Sequence, residues 1–226
     1  MIHLYNVRKS YPPDQTALQN VTVRVEQGDF LFIAGSSGAG KSTLLKLLFG
    51  AEKATSGEVV VGGRNLTELD EHSVMLLRRE IGVIFQDYKL LPRRTVIENV
   101  AYGLEVRGYK REERLSLAAR MLAAVGLSGK EHVFPLTLSG GEQQRVSIAR
   151  ALIHKPRVIL ADEPTGNLDQ QMTDVIFDLL LEANAAGSTV IVATHNLSMI
   201  ENLNLRTIVL NKGAIVGDFE NPRGIG

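Results

Sequence analysis

An eight-residue glycine-rich loop, Gly35–Ser42, constrains this chain more than any other stretch of its sequence. It follows the apolar run 30–34 and precedes a segment of helical character, residues 43–49. The spacing Gly-x-x-x-x-Gly-Lys-Ser lets successive backbone N–H groups curl around a polyphosphate, because glycine has no Cβ to obstruct them. The pattern therefore predicts a strand, a phosphate-binding loop and a helix, in that order.

Two side chains at the end of this loop have predicted chemical roles. Lys41 is expected to reach the β- and γ-phosphates of a nucleotide, and the Ser42 hydroxyl to ligate Mg²⁺. The positive end of the following helix adds to the attraction for the anion. A Gly- and Ser-rich loop can also merely connect a strand to a helix, but the flanking segments favour phosphate binding. The remaining predicted nucleotide contacts are Gly35, Ser36, Ser37, Gly38, Ala39, Gly40 and Thr43.

A pair of carboxylates follows another apolar run. Residues 157–161 have the pattern of a central parallel strand, and Asp162 and Glu163 come directly after them. Carboxylates at the end of a buried strand are costly unless they bind something. The aspartate is suited to binding Mg²⁺ together with Ser42. The glutamate is suited to activating a water for in-line attack on the γ-phosphate.

Two more strand-like runs end in polar residues. Residues 81–85 lead to Gln86, and residues 189–193 lead to Thr194 and His195. A histidine at a strand end is often only a packed or capping residue. Because ligands of open α/β sheets bind at the carboxyl ends of the strands, we expect Gln86, Asp162 and His195 to share one sheet edge.

The segment 138–145 is predicted to open a helix. Ser139 is a good N-cap, and Glu142 lies three residues on, where a capping box requires an acid. A well-capped helix explains this pattern without any ligand. The adjacent Gly140 and Gly141 argue for more, since they expose backbone N–H groups at a helix N-terminus, which attracts anions.

Composition limits the remaining possibilities. The 226 residues suit one domain, and the equal numbers of Lys+Arg and Asp+Glu, 25 each, argue against a nucleic-acid-binding surface. The chain has no cysteine, which fits a reducing compartment. No apolar run approaches the roughly 20 residues that span a bilayer, and we expect no signal peptide, so a membrane role would depend on a partner.

Together these motifs resemble the ATP-binding-cassette ATPases over essentially the whole chain. The resemblance assigns Tyr11 as the adenine-stacking aromatic, Gly35–Ser42 as the Walker A loop, Gln86 as the Q-loop glutamine, residues 138–143 as the signature, Asp162 as the end of the Walker B strand, Glu163 as the catalytic carboxylate, residues 167–169 as the D-loop and His195 as the switch histidine. It implies catalytic roles for Glu163, His195, Gln86 and Lys41, Mg²⁺ ligands at Ser42, Gln86 and Asp162, and further nucleotide contacts from Ser139, Gly140, Gly141, Glu142 and Asp169.

The same resemblance implies an α/β P-loop NTPase fold. A parallel-sheet core would carry an antiparallel β lobe from residues 1–34 and 57–63, and an inserted helical subdomain from about 87–138, within a single domain 1–226. From the residues alone, the amphipathic segments 95–104 and 111–125 fit either an inserted helical lobe or a helical layer on the sheet.

The resemblance also implies a mechanism and its partners. The chain would use ATP and Mg²⁺, form an ATP-dependent head-to-tail homodimer, and contact an integral membrane protein through the region after Gln86. It would then lie peripherally on the cytoplasmic face of the bacterial inner membrane, with no role in binding nucleic acid.

Within the family, residues 78–100 are most similar to the branch that acts in cell division, where the membrane partner regulates cell-wall hydrolysis. The ATPases of lipoprotein release and macrolide export share this stretch more loosely and are the alternative. Asn196 departs from the family pattern, in which Asp commonly follows the histidine. Cassettes that act on ribosomes or DNA normally carry two cassettes or a long coiled coil, and this sequence has neither.

Overall fold

The computed structural model describes residues 1–220, so the last six residues of the predicted domain lie outside the described part. The strands are β1 (Ile2–Tyr11), β2 (Gln15–Val25), β3 (Phe30–Ala34), β4 (Ser56–Val61), β5 (Arg64–Asn65), β6 (Ile81–Ile84), β7 (Val158–Asp162), β8 (Thr189–Thr194), β9 (Thr207–Asn211) and β10 (Ala214–Phe219). The helices are α1 (Lys41–Leu48), α2 (Glu71–Arg79), α3 (Val96–Glu105), α4 (Arg111–Ala124), α5 (Gly140–Leu152), α6 (Gln170–Ala185) and α7 (Leu197–Leu203).

The chain divides into two compact units. The first comprises residues 1–78, 160–162 and the chain from Thr189 onward, and the second comprises residues 79–159 and 163–188. Strand β7 therefore has its first two residues in the second unit and its last three in the first. The predicted β lobe and helical subdomain have boundaries that differ from those of the two units, and both remain predictions.

The first unit contains an antiparallel sheet and most of a parallel one. The antiparallel sheet has the order β2-β1-β4-β5, and the other sheet runs β10-β9-β3-β8-β7 in this unit. Strand β3 is parallel to both β8 and β9. All residues of β3 and β8 are buried, as expected for parallel strands covered on both faces. The predicted parallel-sheet core and antiparallel sheet are both present.

The register of β3 and β8 positions two predicted site segments. Ala34, the last residue of β3, pairs with Thr194, the last residue of β8. The phosphate loop and His195 therefore leave the sheet at the same level, on adjacent strands about 5 Å apart. This places both at one carboxyl edge, as the sequence predicts for His195.

The second unit contains β6, the start of β7 and the helices α3 to α6. Helix α3 begins with a capping box formed by Thr95 and Glu98, and it packs against α4 and α5. The buried side chains Val100, Leu122 and Val146 contribute one residue from each of these three helices to the core of this unit.

Several local expectations differ from the structure. The sequence predicts a connection at Tyr11, beside Pro12 and Pro13, but this residue is the last of β1, where it pairs with Gln15. Helix α7 was not predicted at all, although Asn196 caps it by accepting a hydrogen bond from the backbone of Met199 at 3.3 Å. The sequence pattern predicts a helix from Met172 to about Ala183, but α6 begins two residues earlier, at Gln170, because Asp169 serves as its N-cap.

Candidate nucleotide-binding site

The loop Gly35–Ser42 lies between β3 and α1, as its spacing predicts. A turn within it is closed by Ala39 N donating to Ser36 O at 3.1 Å. The β9–β10 turn holds it from outside, since Gly213 N donates to Ala39 O at 3.0 Å. The loop therefore has a fixed backbone whose outer residues, 36–38, are exposed.

Lys41 is the first residue of α1 and is only 7% exposed. Its ammonium group donates to the carbonyl oxygens of Gly35 at 2.7 Å and Ser36 at 3.2 Å. These bonds curl the side chain back over the loop that it follows. A cation held there, beside the positive end of a helix, creates a strong local field for an anion.

All three glycines of this loop have a positive φ, and two of them, Gly38 and Gly40, differ clearly in their surroundings. Gly38 has φ 77°, and a Cβ added there would meet no atom within 4 Å. Gly40 has φ 109°, and its added Cβ would lie 2.7 Å from the carbonyl oxygen of Ala17. Gly40 is thus required by packing, whereas the open space at Gly38 leaves room for a phosphate to approach the backbone.

This difference predicts separable effects of alanine at the two positions. We expect Gly40→Ala to lower the free energy of unfolding by about 2 kcal/mol or more, because backbone strain and the clash with Ala17 add. Gly38→Ala should cost only about 1 kcal/mol of stability but should weaken nucleotide binding. Chemical denaturation and ATP titration of both variants test this, and equal stability losses would contradict it.

Asp162 and His195 occupy the same unit as the loop. Asp162 is the last residue of β7, half-buried, and β8 separates that strand from β3. His195 is exposed directly after β8. The first unit therefore brings the phosphate loop, Asp162 and His195 to the carboxyl ends of three successive strands in the order β3-β8-β7.

Tyr11 is the residue predicted to stack on the adenine. One face of its ring is covered by the ammonium of Lys9, 4.8 Å from the ring centre, which also pairs with Glu52 at 2.8 Å. A surface cavity of about 290 Å³ is lined by Tyr11 together with residues 12–14 and their neighbours. An aromatic face bordering such a cavity suits stacking with a base, so the adenine contact remains our prediction.

The predicted signature segment lies in the second unit, with the expected capping box. Ser139 Oγ accepts from Glu142 N at 3.3 Å, and Glu142 Oε2 accepts from Ser139 N at 2.8 Å. Mainly this backbone bond lowers the pKa of Glu142 below its usual range, and Lys130 lies 3.4 Å from the carboxylate. The carboxylate of Glu142 is thus engaged in the cap, while the backbone at Ser139 and Gly140 is exposed.

Glu163 has an unusual backbone. Its φ is 47°, in the left-handed region that a non-glycine residue enters at a cost of about 1–2 kcal/mol. A turn follows it, in which Gly166 N donates to Glu163 O at 3.3 Å. Strain of this kind concentrates at functional sites, where it fixes the direction of a side chain. The observation supports the predicted catalytic role of Glu163.

Asp169 has a structural contact that its predicted nucleotide role did not include. Its Oδ1 accepts from Met172 N at 2.8 Å and so caps α6. Between Glu163 and Asp169, Asn167 donates from Nδ2 to the hydroxyl of Tyr88 at 2.9 Å. Tyr88 was predicted only as part of a partner-contacting region, two residues after the exposed Gln86.

The predicted Mg²⁺ ligands fit the ion's chemistry. Ser42, Gln86 and Asp162 offer one hydroxyl, one amide and one carboxylate, a set that suits Mg²⁺ bound largely through substrate phosphates and water. Among residues 1–220 there is no cluster of three or more His, Asp or Glu side chains that could hold a metal ion. The three assignments remain predictions.

No helix within residues 1–220 is both long and apolar enough to cross a bilayer.

The comparisons with known proteins agree with this geometry. A family model described as ABC transporter matches residues 18–166. The chain is 45% identical over 218 residues to the cell division ATP-binding protein FtsE of Streptococcus pneumoniae serotype 2, covering 96% of this chain and 95% of that protein. It is 45% identical over 217 residues to the protein of the same name from Escherichia coli K12, covering 96% and 98%.

Two solved structures have the same fold. Both are dimeric structures of the ATP-binding cassette MJ0796, one of them in a post-hydrolysis state bound to ADP and Pi. The TM-score is 0.93 in each case, with 37% and 38% sequence identity, over 97% of this chain and 98% of theirs. The predicted fold class is confirmed.

Proposed function

The chain belongs to the ABC transporter family, and from this premise we propose that it is the ATP-hydrolysing subunit of a bacterial cell-division complex of the FtsEX type. It is an ABC-type ATPase. The observation that carries the cell-division assignment is the 45% identity to FtsE proteins over nearly the whole chain, which favours it over the export alternative.

We assign the following roles to the predicted site residues. Lys41 and the N-terminus of α1 would bind the phosphates, and Glu163 would accept a proton from the attacking water. Mg²⁺, held by Ser42, Gln86 and Asp162, would neutralise charge on the phosphates when bound. His195 leaves the sheet level with the phosphate loop, where an imidazole could contact the terminal phosphate.

We propose that two copies pair head to tail when ATP is bound. In this arrangement Ser139, Gly140 and Gly141 of one copy would approach the γ-phosphate held by Lys41 of the other. The exposed helix N-terminus at Ser139 and Gly140 suits an anion, and the related cassette structures are dimers. Hydrolysis would remove the shared charge and allow the pair to separate.

The membrane partner would be an FtsX-like integral membrane protein. We assign its contact to the region after Gln86, where Asp87 and Lys89 are exposed and paired with each other at 2.6 Å. The chain would then lie on the cytoplasmic face of the bacterial inner membrane, attached only through this partner, and would not bind nucleic acid.

An affinity purification tests the proposed function. Tagged chain carrying Glu163→Gln, held in ATP, is used to capture proteins from solubilised bacterial membranes. Recovery of an FtsX-like division protein is expected. Recovery of a lipoprotein-release or macrolide-export permease instead would overturn the cell-division assignment and leave the ATPase assignment in place.

A single exposed side chain tests the contact region. We expect Lys89→Ala to reduce recovery of the membrane partner severalfold, while ATP turnover of the isolated chain stays within about twofold of the parent. The backbone of residue 89 should keep its position, because Arg150 donates to its carbonyl oxygen at 2.7 Å. Lys110→Ala, at the exposed N-cap of α4, is the matched control. Equal recovery with both variants would place the contact elsewhere.

A further inference from the structure

The loop after Gln86 is held in a fixed and unusual shape. Tyr88 and Lys89 both have left-handed backbones, with φ 61° and 48°. Two short-range hydrogen bonds accompany this turn: Tyr88 N donates to Phe85 O at 3.2 Å, and Lys89 N donates to Asp87 O at 2.6 Å. The backbone therefore makes a sharp turn here, which fixes the direction of the Tyr88 side chain.

Arg150, near the end of α5, holds the same turn through its backbone. Its guanidinium donates to the carbonyl oxygens of Tyr88 at 2.8 Å and Lys89 at 2.7 Å. Burial lowers the pKa of Arg150 to about 10, so it still carries its charge at neutral pH. The helix that begins in the signature segment is therefore attached at its far end to the loop after Gln86.

The hydroxyl oxygen of Tyr88 lies close to two further segments, at Asn167 and at Gly140. Its hydroxyl oxygen accepts from Asn167 Nδ2 at 2.9 Å. The same oxygen would lie 3.0 Å from a Cβ added to Gly140, the first residue of α5. In addition, a Cβ at Gly141 would lie 3.0 Å from the carbonyl oxygen of Asn167, so these two segments are themselves in close contact.

We propose that Tyr88 is a positioning residue, whose hydroxyl sets the placement of Asn167 and of the N-terminus of α5 relative to the loop after Gln86. This rests on the proposed function, in which that loop contacts the membrane partner and the N-terminus of α5 contacts the nucleotide bound by a second copy. Movement of the loop would then displace both segments together. The hydroxyl is the link, because it bonds to Asn167 and lies 3.0 Å from a Cβ added at Gly140, whereas the ring carbon that carries it lies 4.0 Å from that Cβ.

The variant Tyr88→Phe removes this one oxygen and keeps the ring. Hydrogen–deuterium exchange of the full chain without nucleotide should show roughly 2- to 12-fold faster exchange at residues 142–143 and 166–168, as expected for the loss of one hydrogen bond. The purified variant should have the parent's KM for ATP and a kcat lower by a similar factor, about 2- to 12-fold.

Two comparisons make the test specific. Tyr109→Phe removes a hydroxyl from an exposed tyrosine of the same unit, and it should change neither exchange nor kcat. Asn167→Ala should reproduce the effects of Tyr88→Phe, and the double variant should be no worse than the more affected single variant, because both remove the same contact.

Three results would contradict either the positioning role of Tyr88 or the proposed function. Unchanged exchange at both segments in Tyr88→Phe would overturn it, whatever happens to ATP turnover. Faster exchange with unchanged kcat would reduce the hydroxyl to a structural role and would also overturn it. A parent chain without ATPase activity would instead overturn the proposed function, and the exchange data would still decide whether Tyr88 positions the two segments.

Discussion

Replacing Glu163 with glutamine is expected to reduce ATP turnover by about 100- to 10,000-fold while ATP binding persists. The amide has nearly the same shape as the carboxylate, so the left-handed backbone at this residue, with φ 47°, should be unaffected. It cannot accept the proton of the attacking water, however. Because hydrolysis is what would separate the two copies, ATP-dependent dimers should accumulate.

Single-turnover hydrolysis, ATP titration and size-exclusion chromatography measure these three effects separately. Glu201→Gln, at an exposed carboxylate of α7, is the matched control and should behave as the parent. Turnover near the parent level in Glu163→Gln would remove this residue from the catalytic role. Loss of ATP binding would show instead that the carboxylate maintains the fold of the site.

Replacing Lys41 with alanine should weaken ATP binding by about 10- to 150-fold, the range for losing hydrogen bonds to a charged group. The ammonium is the buried cation of the phosphate loop, and nothing in alanine can replace its bonds to Gly35 and Ser36 or to a phosphate. Turnover at subsaturating ATP should fall at least in proportion.

Lys46→Ala is the matched control, since Lys46 lies on the same helix with its side chain exposed. Circular dichroism of both variants separates a lost fold from lost binding. Unchanged ATP affinity in a folded Lys41→Ala variant would contradict the phosphate-loop assignment.

The parts of this molecule that the sequence predicts well are those in which near neighbours determine the structure. The order strand, phosphate loop and helix around Gly35–Ser42 depends on adjacent residues, and so does the capping box of Ser139 and Glu142. Helix α7 could have been found in the same way, because Asn196 followed by an apolar pattern is an N-cap signal.

Contacts between distant residues could not be predicted from one sequence. Tyr88 and Asn167 are 79 positions apart, and no local pattern connects a loop tyrosine to an asparagine that follows it after the helices α3, α4 and α5 and the strand β7. The tertiary partner, and not the local propensity, decides this contact. Tyr11 is a local error instead: two prolines follow it, yet pairing with Gln15, only a few positions on, extends β1 to that residue.

The hydrogen bonds of Asn99 order the loop that we assign to the membrane partner. Its fully buried amide accepts from Leu91 N at 2.7 Å and donates to the carbonyl oxygens of Leu91, Arg94 and Thr95. Ordering a flexible loop during association costs conformational entropy for each residue that becomes fixed. Because folding already orders this loop, association does not incur that entropy loss. A protein that binds residues 87–91 would therefore bind more tightly for the same contacts.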